Sequence, residues 1–186
     1  MKNIIGVVCI LLLSVGQYAL GQQVEVSAVP GKTLLDELVD GNGEGFRGGE
    51  KIRFRPVSRD RRGKVRMVMG RPLVAADQIY LRLMFRNRSA ISYDVDFFRF
   101  FVRDRKIARR TITQEQELRP VQFFVPERKV PAGKKAYCLF VMDKFTLAHE
   151  KVLRCEVFEN GGGRHFQLQI KAAKLAKAQQ FKRGSG

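Results

Sequence analysis

The apolar pattern of this chain predicts an all-β fold, an immunoglobulin-like antiparallel β-sandwich with a flexible basic segment on its N-terminal side. Three observations predict it. Between Ile79 and Lys171, apolar and polar residues alternate at the two-residue period of a half-buried strand. Such runs are short and separated by turn residues, the spacing of a sandwich or barrel and not of strands alternating with helices. The 14 Phe residues and a hydrophobic fraction of 45% supply a core without any Trp.

Taken in order, the chain divides into residues 1–21, 22–77, 78–171 and 172–186. Lys2, the apolar run Ile4–Val15, and the small residues Ala19 and Gly21 have the form of a secretory signal, with cleavage expected before Gln22. The run is too short to span a bilayer, which takes about twenty residues. The mature chain is therefore expected to be exported, without a transmembrane segment. In the second region, "KTLLDELV" (Lys32–Val39) has the pattern of a short helix with Thr33 as N-cap. The glycine-rich "DGNGEGFRGGE" that follows suits neither a helix nor a central strand. From Arg47 to Arg71, ten Lys and Arg stand against Glu50 and Asp60, a composition expected to stay flexible or to order on a partner.

The third region carries the strands. "YLRLMFR" sets Leu81, Leu83 and Phe85 on one face, with Arg82, Met84 and Arg86 on the other. In "ISYDVDFFRFFVRD" the inward set Tyr93, Val95 and Phe97 gives way to Phe98, Phe100 and Val102, one residue out of phase. That shift predicts a β-bulge at Phe97–Phe98. "IARRTIT", "LRPVQFFV", "AYCLFVM", "KVLRCEVFE" and "HFQLQIK" complete seven strands. The last region, 172–186, is basic and suits a short helix or a tail. If Asp143 and Glu150 close a hairpin, Cys138 and Cys155 fall opposite each other, and an oxidising compartment then allows a disulfide. The alternative is two small buried thiols.

Few residues offer chemistry. The three glycines of "FENGGGRHFQ" (Phe158–Gln167) lack the spacing of a phosphate loop. The alternating "HFQLQI" behind them is no helix, so the stretch is expected to be a hairpin turn. Asp40, Asn42, Glu44 and Gly45 echo a calcium loop, but Lys51 stands where its bidentate carboxylate belongs. His149, Cys155 and His165 match no zinc spacing. A Cys155–His165 nucleophile pair is disfavoured because Cys155 shares its parity with the inward Leu153 and Val157. Asp94 and Asp96 share a strand face on which carboxylates usually pair with Arg or solvate. The expectation is a chain without catalytic residues, cofactor or metal. The net charge of +17 favours anionic partners. Arg53, Arg55, Arg61, Arg62, Lys64 and Arg66 are the residues expected to grip a polyanion.

Four blocks resemble the conjugative transposon TraN family of Bacteroidetes, in its C-terminal half. The first holds Asn87, Ser89, Tyr93, Asp94, Asp96, Phe97, Arg99 and Phe100. The second holds Ala108, Arg110, Thr111, Gln114 and Glu115, and the third is Lys144–Leu147. The last holds Glu156, Phe158, Glu159, Gly162, Gly163, Arg164 and His165. The family carries a further β-rich N-terminal domain, where this chain has the basic residues 22–77. The resemblance implies a non-enzymatic structural subunit of a type IV secretion-like mating apparatus, in the periplasm and associated with the outer membrane. Its implied partners are other apparatus proteins and further copies of itself. Asp94, Asp96, Arg99, Arg110, Glu115, Arg164 and His165 are its candidate interaction residues, and Arg164 with His165 is expected to brace the turn as a hydrogen-bonded pair. The alternative is an exported module binding DNA or an acidic glycan through residues 47–71.

Overall fold

Alternating side chains give each strand one apolar face, and two sheets bury these faces against each other. The computed structural model describes residues 54–106, 114–125 and 128–180, with the backbone of Phe46–Arg47 and Glu50–Lys51. The strands are β1 (Phe46–Arg47), β2 (Glu50–Lys51), β3 (Pro56–Arg62), β4 (Val65–Gly70), β5 (Leu73–Ala75), β6 (Gln78–Asn87) and β7 (Tyr93–Asp104). They continue with β8 (Gln116–Leu118), β9 (Gln122–Phe124), β10 (Lys129–Val130), β11 (Lys135–Asp143), β12 (Lys151–Glu159), β13 (Phe166–Lys171) and β14 (Gln179–Gln180). A single turn of helix, α1 (Ala172–Leu175), precedes β14.

Sheet I is built on β6. β11 covers one edge of that strand, with β9 outside it, while β4 and β5 share the other edge. β3 lies beyond β4, and β14 runs parallel to β5. Sheet II runs β7–β12–β13, with β8 and β10 sharing the free edge of β7. Between the sheets, Met67, Leu81, Leu83, Phe85 and Phe140 meet Tyr93, Phe100, Leu153, Val157, Phe166 and Leu168. The expected all-β sandwich is therefore present.

Its boundary lies earlier than expected. The basic stretch before residue 78 was expected to be flexible, yet β3, β4 and β5 are strands of sheet I, and Val65, Met67, Met69 and Leu73 are fully buried. The apolar positions of "VRMVMGRPLV" decide this: Val65, Met67 and Met69 complete the inward face that β6 presents, and Leu73 packs on the other face against Tyr80, Leu139 and Val141. Arg61 and Arg66 of the same segment sit on that other face, nearer the β3–β4 turn. The C-terminal region is likewise partly inside the domain, where Leu175 joins the core. The expected signal segment, the helix at Lys32–Val39, the calcium-like residues Asp40–Gly45, the strand "IARRTIT", Arg53 and Arg110 lie outside the described residues.

The bulge is real and sits one residue earlier than expected. Phe98 lies opposite Val157 and Val95 opposite Glu159, so β7 carries one extra residue between them. The consequence is that Phe97 turns outward, against the expected inward placement, while Phe98 points in against Phe140 with ring centroids 4.7 Å apart.

The free edge of β13 is closed by side chains of β3. The Gln167 N–H donates to Asp60 Oδ2 at 2.9 Å, and the Gln169 N–H donates to Ser58 Oγ at 3.0 Å. Carboxylate and hydroxyl thus take the place of a neighbouring strand's carbonyls.

The hairpin that would have set Cys138 opposite Cys155 does not form, because β11 belongs to sheet I and β12 to sheet II. Both cysteines are free thiols in the shared core. Burial pushes the Cys138 thiol up to about 12 and raises Cys155 well above its ordinary value. Neither should therefore form the reactive thiolate near neutral pH. Native protein at pH 8 is expected to resist iodoacetamide at Cys138 and Cys155 and to take up a label at each of these two positions once unfolded in guanidinium. Mass spectrometry reads this, and a missing pair of labels after unfolding would reveal a disulfide instead.

Candidate functional site

The stretch Phe158–Gln167 joins β12 to β13 as the expected hairpin, with Val157 paired to Phe166. Two of its three glycines have separate reasons to be there. Gly161 has φ +63°, in the left-handed region that favours glycine. At Gly162 a Cβ would collide with the Glu159 side chain, which folds back under the turn. Gly163 meets nothing within 4 Å.

Glu159 folds back because Arg164 holds it. Arg164 Nε donates to both carboxylate oxygens, at 2.9 and 3.0 Å, and the Arg164 backbone N–H donates to Oε2 at 3.0 Å. Nη2 donates to Glu159 Oε1 and, at 2.7 Å, to the Ser92 carbonyl. Nη1 reaches Ser89 Oγ at 3.5 Å, and the guanidinium lies 5.3 Å from the Tyr93 ring centroid. Tyr93 is itself fully buried between Phe85 and Phe166. Arg164 thus fixes the β12–β13 hairpin to the β6–β7 loop. The expected Arg164–His165 hydrogen-bonded pair is replaced by Arg164–Glu159, since a bidentate carboxylate matches the guanidinium fork.

Asn87 holds the same loop from the other side. Its side chain is fully buried, and Nδ2 donates to the carbonyls of Ile91 at 2.8 Å and Val130 at 3.0 Å. Its Oδ1 accepts from the Ser89 backbone N–H at 2.9 Å and from Ser89 Oγ at 2.6 Å. Asn87 and Ser89 from the first sequence block, and Glu159 and Arg164 from the last, therefore form one internal brace.

His165 turns outward and stacks on Phe158, centroids 5.6 Å apart and nearly parallel. Phe158 stacks in turn on Phe97 at 4.4 Å. This three-ring ladder crosses the outer face of sheet II, and Phe97 is 38% exposed. Along the same face, Arg99 pairs with Glu115 at 2.8 Å and Glu156 at 3.7 Å and covers Phe101, while Arg103 reaches Glu115 at 3.6 Å. Asp94 accepts from Ser92 Oγ at 3.1 Å, and the Asp96 carbonyl accepts from Arg128 at 3.2 Å. Asp96 and Arg128 also border an apolar cleft of about 210 Å³, between β7 and β9, that Phe97, Phe98, Phe123 and Phe140 line. The bulge feeds both features, because it turns Phe97 out between cleft and ladder. The cleft was not legible in the sequence, since β7 and β9 belong to different sheets.

Cys155 is buried opposite Leu168, while His165 is on the surface, so the two do not form a nucleophile pair. Of the expected polyanion contacts, Arg61, Lys64 and Arg66 lie together on the outer face of sheet I. Arg62 instead pairs with Asp60 at 3.3 Å, and Arg55 is exposed before β3. Among the described residues, no helix is long and apolar enough to cross a membrane.

A family model described as a domain of unknown function, DUF4138, matches residues 57–180, more than half of the chain. The match takes in β3, β4 and β5, in line with the earlier domain boundary. No curated protein matches.

Two outcomes test the brace. Gly162→Ala should destabilise the fold by about 1–3 kcal/mol, because the added methyl must displace a carboxylate that Arg164 holds. Gly163→Ala should stay within about 0.5 kcal/mol in the same urea titration. The pH response follows from Glu159, whose carboxyl is held below its ordinary value of 4.5 first by the Arg164 side-chain hydrogen bonds, with burial opposing. A depressed folded-state pKa means that this stability is complete above the ordinary value and is lost as pH falls below it. The urea midpoint of the wild type should therefore drop between about pH 5 and 3, and Glu159→Gln should show a shallower drop from a lower starting point.

Proposed function

The chain belongs to the DUF4138 family, and on that premise we propose that it is a non-enzymatic structural subunit of a conjugative mating apparatus in the cell envelope, working through protein–protein contacts. Within this reading it is of the TraN type, exported to the periplasm and held at the outer membrane through its partners. The observation that carries the reading is the use made of the motif residues. Asn87, Ser89, Glu159 and Arg164 bond to one another and to backbone, which ties the β12–β13 hairpin to the β6–β7 loop that joins the two sheets. A hairpin and a loop held together in this way suit a part that presents a surface. The blocks of the TraN resemblance support the apparatus assignment.

The contact surface in this reading is the outer face of sheet II. Aromatic and Arg side chains dominate the binding energy of protein interfaces, and here Phe97, Phe158 and His165 adjoin Arg99. Phe97 also forms a wall of the apolar cleft, so one partner side chain seated there would meet ladder and cleft together.

Tagged chain purified from envelopes of a conjugation-competent cell should recover a multi-protein complex and support DNA transfer in a mating assay. Phe97→Asp should lower both by about tenfold or more while leaving the thermal midpoint within a few degrees, as expected for loss of a central interface anchor. Recovery of the wild type as a lone monomer, with mating unaffected by deletion of the gene, would falsify this reading.

A further inference from the structure

Strand register collects a row of like charges on the outer face of sheet I. Arg61 on β3 lies opposite Arg66 on β4, Arg66 opposite Arg86 on β6, and Arg86 opposite Lys135 on β11. Four adjacent strands thus carry four directly opposed cations, over about 14 Å at ordinary strand spacing. Lys64 and Arg88 stand one step further toward the strand ends, joined by the Arg88 N–H to Lys64 carbonyl hydrogen bond of 3.0 Å. Arg61, Lys64, Arg66, Arg86 and Arg88 together line one shallow depression that no acidic residue among the described ones enters. Among the described residues, the side chains of Lys64, Arg66, Arg86 and Arg88 make no ion pair.

Like charges directly opposite each other destabilise a sheet. The neighbouring outer face of sheet II shows the ordinary remedy, with Glu115 and Glu156 set between Arg99 and Arg103. In the cation row of sheet I no carboxylate of the described residues plays that part, which points to an anion supplied from outside.

The same end of the sandwich displays Ile91, at 65% exposure the barest of the large apolar side chains among the described residues. It is not on a loose tip. Its carbonyl accepts from Asn87 Nδ2 and from Ser89 Oγ, and Arg164 bonds to Ser89 and Ser92 on either side of it. The internal brace therefore holds one apolar side chain out into solvent, three residues from Arg88.

We propose that this end of the domain docks on an anionic lipid surface, with the cation row against the phosphate headgroups and Ile91 entering the acyl boundary. Cations and an exposed apolar group presented together are what peripheral attachment to such a surface requires. A nucleic acid backbone would use the cations but has no use for Ile91. No aromatic side chain lies in the cation row to stack on bases. The proposal is independent of the conjugation reading, since it concerns the opposite sheet and a different class of partner.

Vesicle sedimentation with the full mature chain tests it. The probe is vesicles of phosphatidylglycerol and phosphatidylcholine in equal parts, with pure phosphatidylcholine vesicles and a DNA duplex as the other arms. Binding to the anionic vesicles alone is expected, weakening with salt. Arg66→Glu/Arg86→Glu should lower it by about tenfold or more, at about fivefold for each cation near the surface. Lys64→Glu/Arg88→Glu should do the same, so the test survives a folding failure in either pair; melting curves identify such a failure. Ile91→Asp should lower vesicle binding by about fivefold without touching any affinity for the duplex. The proposal fails if the anionic vesicles are not bound, if both folded charge-reversed pairs bind like the wild type, or if binding ignores Ile91→Asp. Duplex affinity equal to vesicle affinity, combined with that last result, would assign the row to nucleic acid instead.

Discussion

The bidentate pair between Arg164 and Glu159 is the interaction on which the geometry of this end of the sandwich depends. A β-sandwich holds its sheets together through non-directional apolar contact, which fixes separation better than it fixes the loops at either end. Arg164 supplies the missing direction. Its guanidinium bonds to the carboxylate at the base of one hairpin, to the backbone of the β6–β7 loop, and lies over the ring of Tyr93 in the core. Strong hydrogen bonds between charged groups, shielded by the turn above them, thereby tie loop geometry to core packing. Gly162 of the turn follows from this pair, since it leaves the room into which Glu159 folds.

What the sequence made legible was the periodic part. Strands β6, β7, β11, β12 and β13 are long enough for alternation to stand out, and the phase shift in β7 exposed the bulge to within a residue. The sandwich strands before residue 78 were hidden by composition, because a run rich in Arg and Gly resembles a solvated segment. Its apolar residues Val65, Met67, Met69 and Leu73 are few and broken by "GRP". The β5–β6 turn was hidden as well: Ala76 and Asp77, at φ 47° and 58°, take left-handed conformations that glycine or asparagine normally announces.

The candidate site was legible residue by residue but not in its pairing. Local motifs identified Arg164 and Glu115 as residues of interest, yet not that Arg164 would bond to Glu159 and Glu115 to Arg99. Cross-strand partners depend on register, and register depends on which strands are neighbours. The same ignorance of sheet membership produced the expected Cys138–Cys155 hairpin. Assigning β11 and β12 to different sheets removes it and leaves the two thiols as apolar filling. The cation row has a similar origin, for its members come from four separated strands and only the paired sheet puts them in line.

The closure of β13 by Ser58 and Asp60 bears on how copies of this domain could pack. An open sheet edge is a template on which a second chain can continue the hydrogen-bond ladder. Here the two donors that a docking strand would need are already occupied by side chains of the same molecule. Growth of the sheet across that boundary would first require the first hairpin of the sandwich to peel away. Continuous fibres built by adding strands along that edge are thereby disfavoured.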